Sequence, residues 1–290
     1  MTINNNNLKL ALQKKGRLTE KSLELFENIG LDMEYSKDQL FARCKNFQLD
    51  VLFLRNDDIP EYVQDGVCDL GVVGRNIVVE QGAEVEELIN LGFGNCRLSI
   101  AVPNESPYQM IGDLNKKTIA TSYPSTLKKY LNEQNVEADI VQLRGSVEIA
   151  PSLDLSDAIA DLISTGRTLK RNGLRELDSI LDSEALVIQR PNGLRSEKKI
   201  LIERLMLRIK SSLKARKTKY IVMNALESAL PKIRKIVPGL DSPTIVPLDQ
   251  KGMVAVHTVV EEEIFWDAME KLKEAGATGI LVLPIEKMII

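Results

Sequence analysis

The chain has 290 residues, 44% hydrophobic, 27% charged and 4% aromatic, with a formal net charge of −3. That is long enough for two or three domains with full cores, and its densest basic cluster (Lys214, Arg216, Lys217, Lys219) only closes a helical pattern, so no nucleic-acid partner is expected. No run reaches the length of a membrane span, Leu8 to Leu12 is too short for a signal core, and Cys44, Cys68 and Cys96 lack metal-ligand spacing, so the expectation is a cytoplasmic protein with reduced thiols and no membrane contact.

Leu8 to Leu12 alternates as a strand and passes through Gln13-Lys14-Lys15-Gly16-Arg17 into an amphipathic helix that ends at Gly30. Lys14, Gly16 and Arg17 at this joint make either an anion site or a solvated cation pair at a helix start. Gln48 to Leu54 reads as a strand, Asp58 and Pro60 as the start of a helix, and Asp69 to Gly74 as a buried strand bounded by glycines. Short apolar strands separated by helices indicate a mostly parallel sheet. The rhythm changes near Gly92-Phe93-Gly94, where Arg97 to Val102 enters a second lobe. There Lys117 to Thr121 is a strand ending at Ser122-Tyr123-Pro124, Ala138 to Leu143 is another, and Gly145-Ser146-Val147-Glu148 opens a helix limited by Pro151.

The apolar run from Ala158 to Ile163, broken by Asp161, stops at Ser164-Thr165-Gly166, and Arg167-Thr168-Leu169 begins a helical segment. A strand feeding a glycine turn at a helix start presents backbone N–H groups to phosphate, with hydroxyls and Arg167 as added donors. Asp161 suits a ribose diol or a phosphate-bound Mg2+ rather than phosphate itself. The alternative, that Ser-Thr-Gly is an ordinary turn with a capping hydroxyl, is equally open on this stretch alone.

Ala185 to Gln189 is a further strand, and Ser196 to Arg216 a long helix with Ile200, Leu201, Leu205, Ile209 and Leu213 on one side, returning to the first lobe. From Thr218 the pattern resets: Tyr220 to Met223, Thr244 to Leu248, Met253 to Val260 and Ile280 to Leu283 are strands, and Leu226 to Ile236 and Glu261 to Ala275 helices. That order, βαββαβ, is a ferredoxin-like unit. His257, the single histidine, falls on the less buried face of a strand, which leaves no Ser-His-Asp triad without it and no multi-histidine metal site.

Together, Ala11 to Leu18, Arg55 to Pro60, Asp69 to Gly74, Ile119 to Pro124, Gly145 to Leu169, Ser242 to Leu248 and Ile280 to Met288 resemble one family, the long form of ATP phosphoribosyltransferase. The resemblance spans essentially the whole chain. One departure is Asp154, which stands where the family's signature carries a glycine.

The resemblance implies an α/β fold: a two-lobed, periplasmic-binding-protein-like catalytic body with a C-terminal ferredoxin-like regulatory domain. The expected limits are 1–97 with 188–216 for lobe 1, 98–187 for lobe 2 and 217–290 for the regulatory domain. It implies a glycosyltransferase (pentosyltransferase) that joins adenine N1 of ATP to phosphoribosyl pyrophosphate, starting histidine biosynthesis. Carried over by residue, Glu148, Asp161 and Arg17 are catalytic, and Asp161, Ser164, Thr165, Gly166, Arg167 and Thr168 bind phosphoribosyl pyrophosphate. Lys14, Gly16, Arg17, Arg55, Asp69, Gly71, Ser122 and Tyr123 meet ATP or pyrophosphate. Mg2+ is the implied cofactor, held mainly by substrate phosphates, with Glu148 or Asp161 as side-chain ligands. Feedback inhibition by histidine is implied through Asn224, Leu240, Ser242, Thr244 and Ala277, in a homo-hexamer with dimers as an alternative state. Two other classes compete: a two-lobed solute-binding or sensor module, and a phosphoribosyltransferase for a free purine or pyrimidine base. The latter class usually has two adjacent acidic residues before the loop, whereas Asp161 follows Ala160.

Overall fold

The structure is a computed structural model that describes residues 6–35, 39–193 and 195–289. It divides into two compact units, Met1–Glu24 with Leu31–Ile202, and Leu25–Gly30 with Glu203–Ile290.

The first unit holds two sheets. One is ordered β2 (Phe41–Arg43), β3 (Leu49–Leu54), β1 (Leu8–Gln13), β4 (Leu70–Gly74), β11 (Ala185–Gln189) and β5 (Glu86–Asn90). Strands β3, β1 and β4 run parallel, and β11 is antiparallel to both β4 and β5. Every residue of β4 is buried, as befits a strand covered on both faces, which is why it reads as an unbroken apolar run. Helices α1 (Arg17–Asn28), α2 (Ile59–Gln64) and α3 (Arg75–Gln81) follow β1, β3 and β4. Ala11, Ile59, Val63, Val73, Ile77, Leu186 and Ile188 share one core on this sheet.

The second sheet is ordered β10 (Leu174–Ser183), β6 (Cys96–Pro103), β9 (Ala158–Ile163), β7 (Thr118–Thr121) and β8 (Asp139–Gln142), with β9, β7 and β8 parallel. Helix α4 (Pro124–Glu133) follows β7, and α5 (Arg167–Arg171) follows β9. Both faces are packed: Ile100, Ile119, Leu127 and Leu131 on one, Ala101, Ile159, Ile163 and Leu169 on the other. Each of these isoleucine and leucine side chains contributes roughly 1.5–3 kcal/mol on burial. The chain crosses between the lobes twice, from β5 to β6 and from β10 to β11. The crossings run side by side, with Leu91 N donating to Ala185 O and Ala185 N to Phe93 O, both at 2.9 Å.

In the second unit, a four-stranded antiparallel sheet runs β13 (Thr244–Pro247), β14 (Met253–Glu261), β12 (Thr218–Leu226), β15 (Thr278–Pro284). Helices α7 (Leu230–Ile236) and α8 (Phe265–Glu274) complete the expected βαββαβ order, packing Ile233, Phe265, Met269 and Leu272 against Ile221, Met223 and Val256. Preceding it, α6 (Ser196–Arg216) buries Leu201, Leu205 and Ile209 but leaves Ile200 50% exposed, contrary to the expected face.

Three further differences have physical causes. The segment after Gly145 is not a helix but two single 3-10 turns, Val147–Ile149 and Pro151–Leu153, because Pro151 and the left-handed Asp154 each interrupt it. Strand β10 escaped the sequence pattern because its register against β6 shifts twice, and each bulge breaks the period-two alternation. The expected lobe return at residue 188 falls inside β11, which joins the first sheet from Ala185, and α6 is shared between the two compact units.

Candidate active site

The parallel strands of the second sheet leave by one edge, where Thr121 stands level with Gln142 and Ala160 and β9 continues to Ile163, so the turns that follow them lie at the same edge. From β9 comes the loop Ser164-Thr165-Gly166. Gly166 sits at φ 72° as the N-cap of α5, a conformation that L-residues avoid. Ser164, Thr165, Arg167 and Thr168 are exposed, Leu169 is buried as the anchor, and the first bond of the helical turn is from Lys170 N to Gly166 O at 3.2 Å. Amides ahead of that bond have no intrahelical acceptor.

Asp161, on β9, is half-buried, and its Oδ1 accepts from Leu162 N at 2.8 Å. Burial raises its pKa above the usual carboxylate value; the Leu162 bond opposes this, and the charge of Glu148 adds to it. Glu148 reaches this neighbourhood from a turn opened by two left-handed residues, Gly145 (φ 116°) and Ser146 (φ 50°), and pinned by buried Val147. Ser122 helps to fix that turn, because its Oγ donates to Leu143 O at 2.7 Å.

Tyr123 is the N-cap of α4. Its backbone N donates to Thr121 Oγ1 (2.9 Å), which in turn donates to Ala160 O (2.7 Å), tying the tyrosine to the strand that carries Asp161. Its ring packs on the first-lobe core, and its hydroxyl accepts from Asn76 Nδ2 at 3.3 Å. Burial, then the Asp161 charge, push the phenol well above its ordinary pKa, so it stays protonated with a proton to donate.

In the first lobe, β1 and β3 pair in register to Gln13 and Leu54, so Lys14 and Arg55 leave adjacent strands at the same end. Lys14 N donates to Leu54 O at 2.8 Å, and Thr19 Oγ1 closes the following turn on Gln13 O at 2.7 Å. Gly16 takes φ 120°, while Arg17 and Arg55 are exposed. Asp69 does not join this group. It precedes β4, and its carboxylate accepts Lys9 N (2.9 Å) and Lys198 Nζ (2.6 Å) at the opposite end of the sheet. Lys9 and Lys14 are five residues apart on one strand, about 17 Å. The charge of Asp69 is therefore spent on a buried ion pair. Gly71 lies mid-strand, where a Cβ would come within 2.7 Å of Ile59, so its part is to let α2 close on β4.

Asp161 and Glu148 offer two hard oxygen donors of the kind Mg2+ accepts. Among the described residues, no group of three or more His, Cys, Asp or Glu is arranged to hold a metal ion. In the second unit, Asn224 on β12 lies beside Gly279, and its O accepts from Thr278 Oγ1 at 3.4 Å; Ala277 is buried next to them. Leu240, Ser242 and Thr244 are exposed on and before β13, two strands away across β14. His257 lies in β14 with its Nδ1 3.0 Å from the Tyr220 hydroxyl.

Sequence reasoning missed Asn76, Glu80 and Ser183. Asn76 N donates to Ser183 Oγ (3.0 Å), and Ser183 Oγ donates to Asn76 Oδ1 (2.9 Å), across 107 residues of chain. The one sequence signal was Gly74, where a Cβ would stand 2.4 Å from Asn76 Oδ1.

Comparison with known proteins bears on the whole chain. Residues 55–211 match the family model HisG, ATP phosphoribosyltransferase, and residues 215–287 match HisG, C-terminal domain. The chain is 47% identical to an ATP phosphoribosyltransferase of Cytophaga hutchinsonii, over 97% of this chain and 98% of that one. It is 44% identical to that of Phocaeicola vulgatus, over 98% and 100%. A solved structure, the ATP phosphoribosyl transferase (HisG:HisZ) complex from Thermotoga maritima, superposes with a TM-score of 0.61 at 30% identity, covering 70% of this chain and 96% of that one.

Proposed function

Since the chain belongs to the ATP phosphoribosyltransferase family and catalyses the first step of histidine biosynthesis, we propose how its residues divide that reaction. The reaction forms a bond from adenine N1 to ribose C1 and breaks the bond from C1 to pyrophosphate. Pyrophosphate is a good leaving group, so the protein's work is to align N1 with C1 and to stabilise spreading charge.

The loop Ser164 to Thr168 holds the 5-phosphate on backbone N–H groups and hydroxyls, and Asp161 takes the ribose hydroxyls. Lys14, Gly16, Arg17 and Arg55 meet the phosphates of ATP and of the leaving pyrophosphate, while Ser122 and Tyr123 shape the site wall. Glu148 and Asp161 would supply the protein's oxygen ligands to Mg2+, which would neutralise charge on the pyrophosphate. The observation that carries this reading is the convergence of the Gly166 loop, Asp161, Glu148 and Tyr123 at the ends of three parallel strands. Asp161→Ala should lower turnover about 100-fold by loss of alignment, read as the absorbance of phosphoribosyl-ATP formed from ATP, phosphoribosyl pyrophosphate and Mg2+. Unchanged turnover would refute the role given to Asp161.

We assign regulation to the second unit, with histidine as the inhibitor bound through Asn224, Leu240, Ser242, Thr244 and Ala277, in a homo-hexamer that exchanges with dimers. What supports a separate role for this unit is that residues 215–287 match the family's C-terminal domain. Sedimentation of the full chain with and without histidine tests it: a single species of one size under both conditions and at all concentrations would contradict the assembly.

A further inference from the structure

Helix α4 begins at an unusual cap. Its N-cap residue is Tyr123, whose side chain makes no capping bond, and Pro124 follows at the first helical position. The next two amides, Ser125 N and Thr126 N, still need acceptors. They find them on the other lobe: Glu80 Oε1 accepts Ser125 N at 2.9 Å, and Glu80 Oε2 accepts Thr126 N at 2.9 Å and Thr126 Oγ1 at 2.7 Å. An N-cap side chain normally supplies this acceptor from the residue before the helix. Here a carboxylate from α3 of the first lobe supplies it, with the added strength of an ionised acceptor at the positive end of a helix.

Glu80 is four residues beyond Asn76, so the two share one face of α3. Asn76 holds the Tyr123 hydroxyl and, through Ser183, the end of β10 where the chain crosses back between lobes. One helix face thus grips the second lobe at two points, the start of α4 and the β10 crossing. We propose that Glu80 is a positioning residue: by capping α4 from the opposite lobe, it sets the angle between the lobes and holds Tyr123 over the site that carries Asp161. This rests on the reading that phosphoribosyl pyrophosphate sits on the β9–α5 loop and ATP against the first lobe. On that reading Glu80 touches neither substrate and governs only how one meets the other.

The test separates binding from turnover in the full-length protein. In Glu80→Ala, the Kd for ribose 5-phosphate, the part of phosphoribosyl pyrophosphate assigned wholly to the second lobe, should stay within about threefold of wild type, while kcat falls at least about tenfold, since misalignment of about 1 Å can cost 100-fold. Glu80→Gln, which keeps one acceptor oxygen, should fall between. Combined with Tyr123→Phe, the kcat losses should be less than multiplicative, because Glu80 acts through the placement of Tyr123 at the start of α4. A folded Glu80→Ala with kcat within twofold of wild type would overturn the proposal. So would a parallel loss of Kd, kcat and melting temperature, which marks a merely structural cap. Thr165→Ala serves as the control for the loop: unaltered phosphoribosyl pyrophosphate affinity there counts against the loop assignment alone, because the Glu80 readout is kcat.

Discussion

At the scale of single residues, the site holds groups at some cost to the fold. Asp161 is half-buried near Glu148, and its pKa is raised above 3.8. Between the unfolded value and the raised folded value the native state binds the proton more tightly. Stability therefore falls as pH rises through that window, and at neutral pH the ionised carboxylate is a net burden on the substrate-free protein. Asp161→Asn should be more stable than wild type at pH 7 and equal to it at pH 3, while losing activity. Urea titrations at the two pH values measure this; a variant less stable at pH 7 would contradict it.

Asp154 belongs to the same scale. It adopts φ 56°, ψ 25°, the left-handed conformation that Asp tolerates better than most residues. Asp154→Gly should be neutral to ~1 kcal/mol stabilising, and Asp154→Ala should cost ~1 kcal/mol, as strain without local compensation. An alanine variant as stable as the glycine variant would show that the turn is not strained.

At the scale of elements, the β9–α5 turn works through its backbone. A Cβ on Gly166 would meet nothing within 4 Å, so Gly166→Ala tests conformation and close ligand approach rather than packing. It should weaken phosphoribosyl pyrophosphate binding about tenfold, from a left-handed penalty of about 1–2 kcal/mol. Arg167 is exposed at the first position of α5, and the turn forms without its side chain. Arg167→Ala should therefore reduce affinity and keep turnover. Calorimetric titration of both variants decides the order; an inactive Arg167→Ala would show the guanidinium to be essential.

On the scale of the whole molecule, the chain joins a two-sheet catalytic unit to a ferredoxin-like one. If Ser242 donates to the carboxylate of histidine, its loss removes a hydrogen bond to a charged group, worth about 1.5–3 kcal/mol. Ser242→Ala should then raise the histidine concentration for half-inhibition at least about tenfold, measured in the phosphoribosyl-ATP assay. An unchanged inhibition curve would remove Ser242 from the site.

Much of this was legible in the residues, because local chemistry is written locally. Alternating and unbroken apolar runs marked β1, β3, β4, β6, β7 and β9, and Gly16 and Gly166 marked the turns where β1 and β9 pass into helices. The βαββαβ rhythm marked the last domain, and several motifs in order gave the family. What the sequence by itself could not determine was every fact that depends on pairing across distance. Asp69 looks from its motif like a site residue, and only the fold brings Lys198, 129 residues away, to claim its charge. Nothing local marks Glu80 as the cap of a helix 44 residues further on, or Ser183 as the partner of Asn76. A turn's conformation is dictated by the few residues in it, whereas the partner of a buried polar group is whichever one the tertiary packing places within 3 Å.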